Sequence, residues 1–413
     1  MTALSATAAD IDQLAKKVEP KVIAIRRDIH QNPELGNREF RTSKLVAERL
    51  RELGIETRTG IAHTGVVGVL RGGKPGRVVA LRADMDALPV TEQVDLPFAS
   101  KVRTTYNGQD VGVMHACGHD AHVAILLGVA EVLASIRQSI PGTVVFLFQP
   151  AEEGAPQGEE GGAELMVKEG ALDHPKADAV FGLHVTSRFP VGVIACRPGG
   201  MMAAVDSLRI TVRGRQTHGA YPWLGVDPIV VASQIVLGLQ TIPSRQLDST
   251  LAPSVVTVGA IHGGVRNNII PDEVEMIGTI RSLDAAMRDD IHARIRRTAV
   301  KIAESAGAEA TVEITTGYPI VHNDPALTEK VTAVFRRVAG ADNVQVVNPT
   351  LGAEDFSFYQ QKVPGVFFWL GTRPKNQTAE EAPSNHSPLF SIDESGLLLG
   401  VRALAHVALD ALH

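Results

Sequence analysis

The sequence is poor in cysteine, in aromatic residues and in long apolar runs. Cys117 and Cys196 are the two cysteines in 413 residues. Two thiols cannot build a disulfide framework, although one bridge between them stays open on sequence grounds. Aromatic residues make up 4% of the chain, too few for the stacking platforms of single-strand nucleic-acid binders. The net charge of -6 gives no electrostatic case for nucleic acid or for an anionic membrane. No run approaches the ~20 apolar residues that a spanning helix needs. The start, MTALSATAADIDQLAKK, lacks a basic segment followed by an apolar core. It is therefore not an intact signal peptide, and a cytoplasmic location is expected.

What the chain has is bulk and alternation. Of its residues 44% are hydrophobic and 21% charged. Its length exceeds the ~250–300 residues at which a single core stops growing, so more than one domain is expected. VEPKVIAIRRDIHQNPE and RTSKLVAERLRELG have helical apolar spacing, the second closed by Gly54. RVVALRADMDALPV, GTVVFLFQPAEEG and AVFGLHV are apolar strands running into polar loops, with the long apolar helix AHVAILLGVAEVLASIR among them. This alternation predicts an α/β fold with a mostly parallel sheet and helices on both faces. Ligand sites of such sheets gather at the carboxyl ends of the strands.

Near residue 200 the style changes. DSLRITVRG alternates apolar and polar positions, as a strand with one wet face does. The elements that follow, through ATVEITTG, read β-α-β-β-α-β, a ferredoxin-like α+β unit with antiparallel pairing. The expected division is a first α/β domain built from 1–199 and 316–413, interrupted by an inserted domain at 200–315.

HACGHDAH, residues 115–122, places one of the two cysteines among three histidines. Other residues able to bind metal follow strands elsewhere: Glu152-Glu153 after VVFLFQPA, His184 at the end of AVFGLH, and His386 in NHSP within a long polar loop. Taken singly, each has a bland explanation. A histidine after a strand is usually a hydrogen-bonded core or rim residue, paired glutamates in a loop are usually solvated, and an isolated cysteine is a small buried hydrophobe. Their convergence on one predicted sheet edge predicts a metal site. His115 and His122 are left as structural residues.

The motifs LRADMDALP, MHACGHDAH, FQPAEEG, GLHV, THGAYP, NNIIPD, GTIRS, GAEDFSFY and NHSP occur in this order over nearly the whole chain. Together they resemble the M20 metallopeptidase family, within it the amidohydrolase branch of aminoacylase-type, hippurate hydrolase-type and auxin-conjugate hydrolase-type enzymes. The resemblance implies two divalent ions held by Cys117, His119, Glu153, His184 and His386. Mixed sulfur, nitrogen and oxygen donors suit Zn²⁺, with Mn²⁺, Co²⁺ or Ni²⁺ as substitutes. Other branches carry a His-x-Asp motif where this chain has Asp84 and Asp86. Asp84 is accordingly not taken as a ligand, and Asp86 is read as a carboxylate orienting a ligand histidine. Glu152 is then the general base. His218 is implied to reach the site of a partner subunit and stabilise the oxyanion, making the inserted domain a dimerisation and lid domain. The implied assembly is a homodimer or a higher homo-oligomer. Asn268 and Arg281 correspond to positions that contact polar groups of the substrate, and Gly352 to one offering backbone contacts. Glu354 and Asp355 are equally suited to capping the helix that follows.

The expected activity is di-metal hydrolysis of the amide bond of N-acyl amino acids. The alternatives are a metallocarboxypeptidase acting on short peptides and a non-catalytic binding protein on the same scaffold.

Overall fold

The computed structural model describes residues 8–413. The chain divides into two compact units. The first comprises residues up to Gly199, His322–Asn348 and Phe358–His413; the second comprises Gly200–Val321 and Pro349–Ser357.

The first unit is built on an eight-stranded sheet. In spatial order its strands are Glu56–Ile61, Gly65–Arg71, Pro141–Gln149, Lys74–Asp84, Ala179–Pro190, Gly365–Arg373, Ile194–Cys196 and Val344–Val346. The four middle strands run parallel. Antiparallel pairing appears toward either flank. Gly365–Arg373 is buried at every position but its last, the pattern of a strand covered on both faces. Helices Ala8–Gln31, His119–Ser135, Pro325–Ala339 and Leu397–Ala411 share one apolar core with these strands.

The first helix begins ten residues before the expected stretch VEPKV and continues through Pro20. The missing proline N–H costs one helical hydrogen bond. Against that loss stands a buried stripe at helical spacing, Ile11, Ala15, Val18, Val22, Ile25 and Ile29. Each large member contributes roughly 1.5–3 kcal/mol by burial, enough to carry the helix past the defect.

The second unit is a four-stranded antiparallel sheet in the order Ser254–Gly263, Glu273–Ser282, Ala204–Arg213, Glu309–Thr316. Burial alternates along Ala204–Arg213, with Leu208, Ile210 and Val212 turned to the core. Helices Pro228–Thr241 and Ala285–Ser305 close that core through Ile235, Leu239, Ile291 and Ile295. Each helix is capped by an aspartate: Asp227 accepts from the N–H of Ile229, and Asp284 from that of Met287. The expected division gave all of 316–413 to the first domain. The structure instead groups Pro349–Ser357, with Gly352, in the second unit. The N–H of Ala203 donates to the carbonyls of Thr350 (3.1 Å) and Gly352 (2.9 Å), which ties that segment to the unit's first strand. Among the described residues, no helix is long and apolar enough to cross a membrane.

Candidate metal centre

The centre is assembled in the first unit from loops beside the middle strands. Cys117 and His119 flank Gly118, whose φ is +90° where the chain turns into helix His119–Ser135. A Cβ on Gly118 would meet the Val185 side chain at 2.3 Å, so glycine alone fits both the turn and the space. The strand Pro141–Gln149 leads to Glu152 and Glu153 through Ala151, itself at φ +51°. That left-handed alanine is held by Glu39, which accepts from the Ala151 N–H (2.9 Å) and from the Thr64 hydroxyl (2.5 Å). Burial and then the charge of Asp86 push the Glu39 carboxyl up to about 8. His184 lies inside the strand Ala179–Pro190, opposite Trp369, rather than at a strand end as expected; pairing with Gly365–Arg373 carries the strand past it.

The side chains converge. Cys117 Sγ lies 3.3 Å from His184 Nε2 and 3.2 Å from His386 Nε2. His386 Nε2 is 2.9 Å from Glu153 Oε1. Glu152 is buried, with Oε2 3.9 Å from His119 Nε2. Three sets of donor atoms lie within 4.8 Å of one another: Cys117, His119 and His184; Cys117, Glu153 and His386; His119, Glu152 and Glu153.

The donors fit a metal. His119 directs Nδ1 at Asp86 Oδ1 (3.2 Å), while its buried Nε2 has no hydrogen-bond partner. His184 donates from Nδ1 to the Val185 carbonyl (2.7 Å), which leaves Nε2 facing the sulfur. A second nitrogen engaged in this way is how metal-binding histidines are held. The Cys117 thiol is pushed well up by burial, then by the charges of Glu153, Glu152 and Asp84. The protein's own charges therefore oppose a thiolate, and a divalent cation among these donors would reverse that balance. Cys117 belongs to two of these three sets.

Other candidates drop out. Asp84, His119 and His122 also lie within 4.8 Å of one another. His122, however, has Nδ1 2.5 Å from Asp84 Oδ1 and accepts the Val185 N–H on Nε2 (2.9 Å), so no lone pair remains for a metal. His115 is buried with neither ring nitrogen hydrogen-bonded, and burial lowers its pKa to about 3. Cys117 and Cys196 are both free thiols, which removes the disulfide alternative.

The remaining site candidates lie in the second unit. His218 is exposed and accepts the Ala220 N–H on Nδ1 (3.0 Å), which places its proton on Nε2. The Asn268 carbonyl accepts from the neighbouring Gly219 N–H (2.8 Å), which brings Asn268 beside His218. Arg281 donates to the Leu351 carbonyl (3.4 Å), next to Gly352. Glu354 caps the short helix Ser357–Gln360: its side chain accepts the Phe356 N–H at 2.9 Å and its carbonyl the Ser357 hydroxyl at 2.9 Å.

Sequence reasoning missed Asn385 and Glu39. Asn385 donates to the carbonyls of Cys117 (3.1 Å) and Val185 (3.2 Å) and so ties two donor-bearing segments to the His386 loop. Its one signal is its place beside His386. A lone glutamate ahead of a helix, as Glu39 is, carries no signal at all. Alongside Asp86 and Glu153 the first unit has a cavity of about 660 Å³, walled by Leu35, Leu88, Val102, Tyr106, Val113 and Pro156.

The profile of peptidase family M20/M25/M40 matches residues 80–410. The chain belongs to the M20 peptidase family. This M20 chain is 46% identical over 396 residues to thermostable carboxypeptidase 2 of Saccharolobus solfataricus, covering 95% of each. It is 38% identical to an N-acetyl-L-cysteine deacetylase of Bacillus subtilis over 92% of this chain and 86% of that one. A solved dinuclear metal-binding M20 peptidase of B. subtilis superposes with a TM-score of 0.80 at 36% identity, covering 96% of this chain and 99% of that one. The protein is a metal-dependent hydrolase acting on amide or peptide bonds.

Proposed function

We propose that this M20 hydrolase releases the amino acid from N-acyl amino acids, with two divalent ions held by Cys117, His119, Glu153, His184 and His386. Zn²⁺ suits this mixed donor set best, with Mn²⁺, Co²⁺ and Ni²⁺ as substitutes. Bound ions would lower the pKa of a water and polarise the scissile carbonyl. Asp86 accepts from His119 Nδ1 and from the Glu153 N–H (2.9 Å), so one carboxylate aligns two of the proposed ligands. Glu152 takes the proton of the attacking water and delivers it to the departing amine, a role worth ~10²–10⁴-fold. Its burial keeps that proton from bulk water. His218, with its proton on Nε2, donates to the developing oxyanion, while Asn268, Arg281 and the backbone at Gly352 bind polar groups of the amino-acid half.

The observation that carries the choice of N-acyl over free peptide is the state of the carboxylates lining the cavity. Glu34 accepts the N–H groups of Arg41 and Thr42, each at 2.8 Å. Asp86 is engaged as above, and Glu153 is committed to metal. Arg38 pairs with Glu159 and Arg103 with Asp110. Among the described lining residues, each carboxylate already accepts hydrogen bonds or is assigned to metal, whereas the apolar walls suit an uncharged acyl group. The relative named as an acetylcysteine deacetylase agrees with this choice; the one named as a carboxypeptidase favours the second possibility, short peptides. Turnover of N-acetyl, N-benzoyl and dipeptide substrates sharing one C-terminal amino acid separates them. Higher kcat/KM on the N-acyl compounds is expected, and preference for the dipeptide would overturn the assignment.

The second unit is proposed to dimerise the protein. Its strand Ser254–Gly263 lies at the sheet edge with Ile261 exposed, and Trp223 (73%), Leu237 (70%) and Val265 (95%) stand open on the same unit. Open edges and apolar surface of this kind call for a partner, and a two-fold homodimer is the commonest closed form. Sedimentation of the intact protein tests it: a dimer is expected, and a monomer at micromolar concentration rejects it.

A further inference from the structure

We propose that Asp84 and His122 are positioning residues that aim His184 at the metal centre by fixing residue 185. The proposal rests on the assignment of His184 as a ligand. Strand Ala179–Pro190 pairs with Lys74–Asp84 only from Ala179 to Gly182, where that ladder stops. Beyond it, Val185 is buried, and its N–H donates to His122 Nε2 (2.9 Å). A ring nitrogen that accepts carries no proton, so the proton of His122 is on Nδ1 and is donated to Asp84 Oδ1 (2.5 Å). Asp84 accepts in turn from Arg82 (2.6 Å), and Arg82 donates from Nε to Gln149 (2.8 Å). Arg82, Asp84, His122 and Gln149 are all fully enclosed.

The other end of the same residue holds the ligand. The Val185 carbonyl accepts from His184 Nδ1 (2.7 Å) and from Asn385 (3.2 Å). The direction of His184 Nε2 is therefore set by where residue 185 sits, and His122 is the group that holds its N–H. An apolar side chain would fill the same space but leave a buried N–H unpaired, with residue 185 then held on one side only, by its ladder with Gly365–Arg373 and by Asn385. A pure space-filling role predicts a loss of stability alone; a positioning role predicts a loss of metal affinity as well. Outer partners of metal-binding histidines typically account for 10–100-fold in affinity.

The test is Co²⁺ titration of metal-stripped protein, read by visible absorption and calorimetry, with thermal midpoints recorded for the metal-free forms. Wild type should bind two ions; no uptake would overturn the metal assignment and this proposal together. His122→Gln keeps an acceptor for the Val185 N–H and a donor for Asp84, while His122→Leu keeps neither. His122→Leu should bind one ion 10–100-fold more weakly and shift the Co²⁺ bands, with His122→Gln within about threefold of wild type. Wild-type affinity and spectrum in His122→Leu would overturn the proposal. So would loss of one ion from His122→Gln, which would make His122 itself a ligand. If His122→Leu does not fold, Asp84→Asn carries the test: its metal-free thermal midpoint should fall, because Arg82 loses its buried charge partner, and weaker Co²⁺ binding with shifted bands is expected; unchanged binding overturns the proposal.

Discussion

In the first unit the strand Gly65–Arg71 is buried at six consecutive positions, whereas Ala204–Arg213 in the second buries alternate ones. The first pattern belongs to a sheet covered on both faces, where polar groups survive only if each finds a partner. Hence Arg82, Asp84, His122, Asp86 and His119 form a chain of mutual hydrogen bonds and ion pairs beneath the donor cluster. The second pattern leaves a wet face and an open edge, and the site candidates there, His218 and Asn268, are exposed. The difference teaches where each unit spends its polar groups. The enclosed unit can preset the direction of a ligand atom, and the open one can present donors to a substrate or surface to a second copy.

The harshest break in that comparison should come from the enclosed unit. Glu152→Gln is expected to lower turnover by ~10²–10⁴-fold or more while metal content stays near wild type. Glu153→Ala should lose metal as well as activity. Elemental analysis beside steady-state kinetics checks both, and identical metal content in the two variants would refute the division of labour. Cys117→Ala belongs with Glu153→Ala: its metal stoichiometry should fall.

Next comes the open unit. His218→Ala is expected to cost ~10²–10³-fold in turnover, the usual loss of one oxyanion donor, without loss of metal. If the contact crosses a dimer, mixing Glu152→Gln with His218→Ala subunits should restore activity. No recovery despite proven subunit exchange would confine His218 to its own chain or exclude it from catalysis.

Asp206 sharpens the comparison because it is the second unit's own enclosed carboxylate. Burial pushes its pKa up, but hydrogen bonds from His292, Arg288 and the Gly317 N–H outweigh this and leave it below the ordinary value. A depressed folded pKa adds stability that is complete above the unfolded pKa of ~3.9 and is lost as pH falls below it toward the folded value. Asp206→Asn should therefore destabilise the protein by about 3–5 kcal/mol at pH 7 and flatten the acid limb of the stability curve. Urea unfolding at pH 7 and at about pH 3 measures both.

The smallest effect is expected at Cys196. Its sulfur is buried 3.8 Å from the Thr332 hydroxyl, apart from the donor cluster. Cys196→Ala should keep metal and activity and cost about 1 kcal/mol, within the ordinary range for one buried substitution. Loss of metal from this variant would contradict the contrast between the two thiols.

Much of this protein was legible along the chain. Apolar runs against alternation separated the two sheets, because each strand carries its own burial pattern in its side chains. Metal-competent residues stood out at Cys117, His119, Glu152-Glu153, His184 and His386, because such groups beside apolar strands are a local signal, while the choice of Glu153 over Glu152 as a ligand came from the resemblance alone. Less was legible where neighbours in space decide. The first helix was placed too late, since the burial of Ile11 and Ala15 that anchors its first turns is decided by the packed core. His184 was placed at a strand end, since pairing with Gly365–Arg373 is not written in AVFGLHV.

By itself the sequence determined which donors exist, their order, and the alternation that carries them to one side of a sheet. Tertiary structure alone decided which atom of each donor is on offer. His119 turns Nε2 inward because Asp86, 33 residues away, takes Nδ1. His122 is no ligand because the Val185 N–H, 63 residues away, takes its lone pair. Asn385 clasps Cys117 across 268 residues. A histidine's free nitrogen is whichever one its neighbours leave, and those neighbours are chosen by the fold.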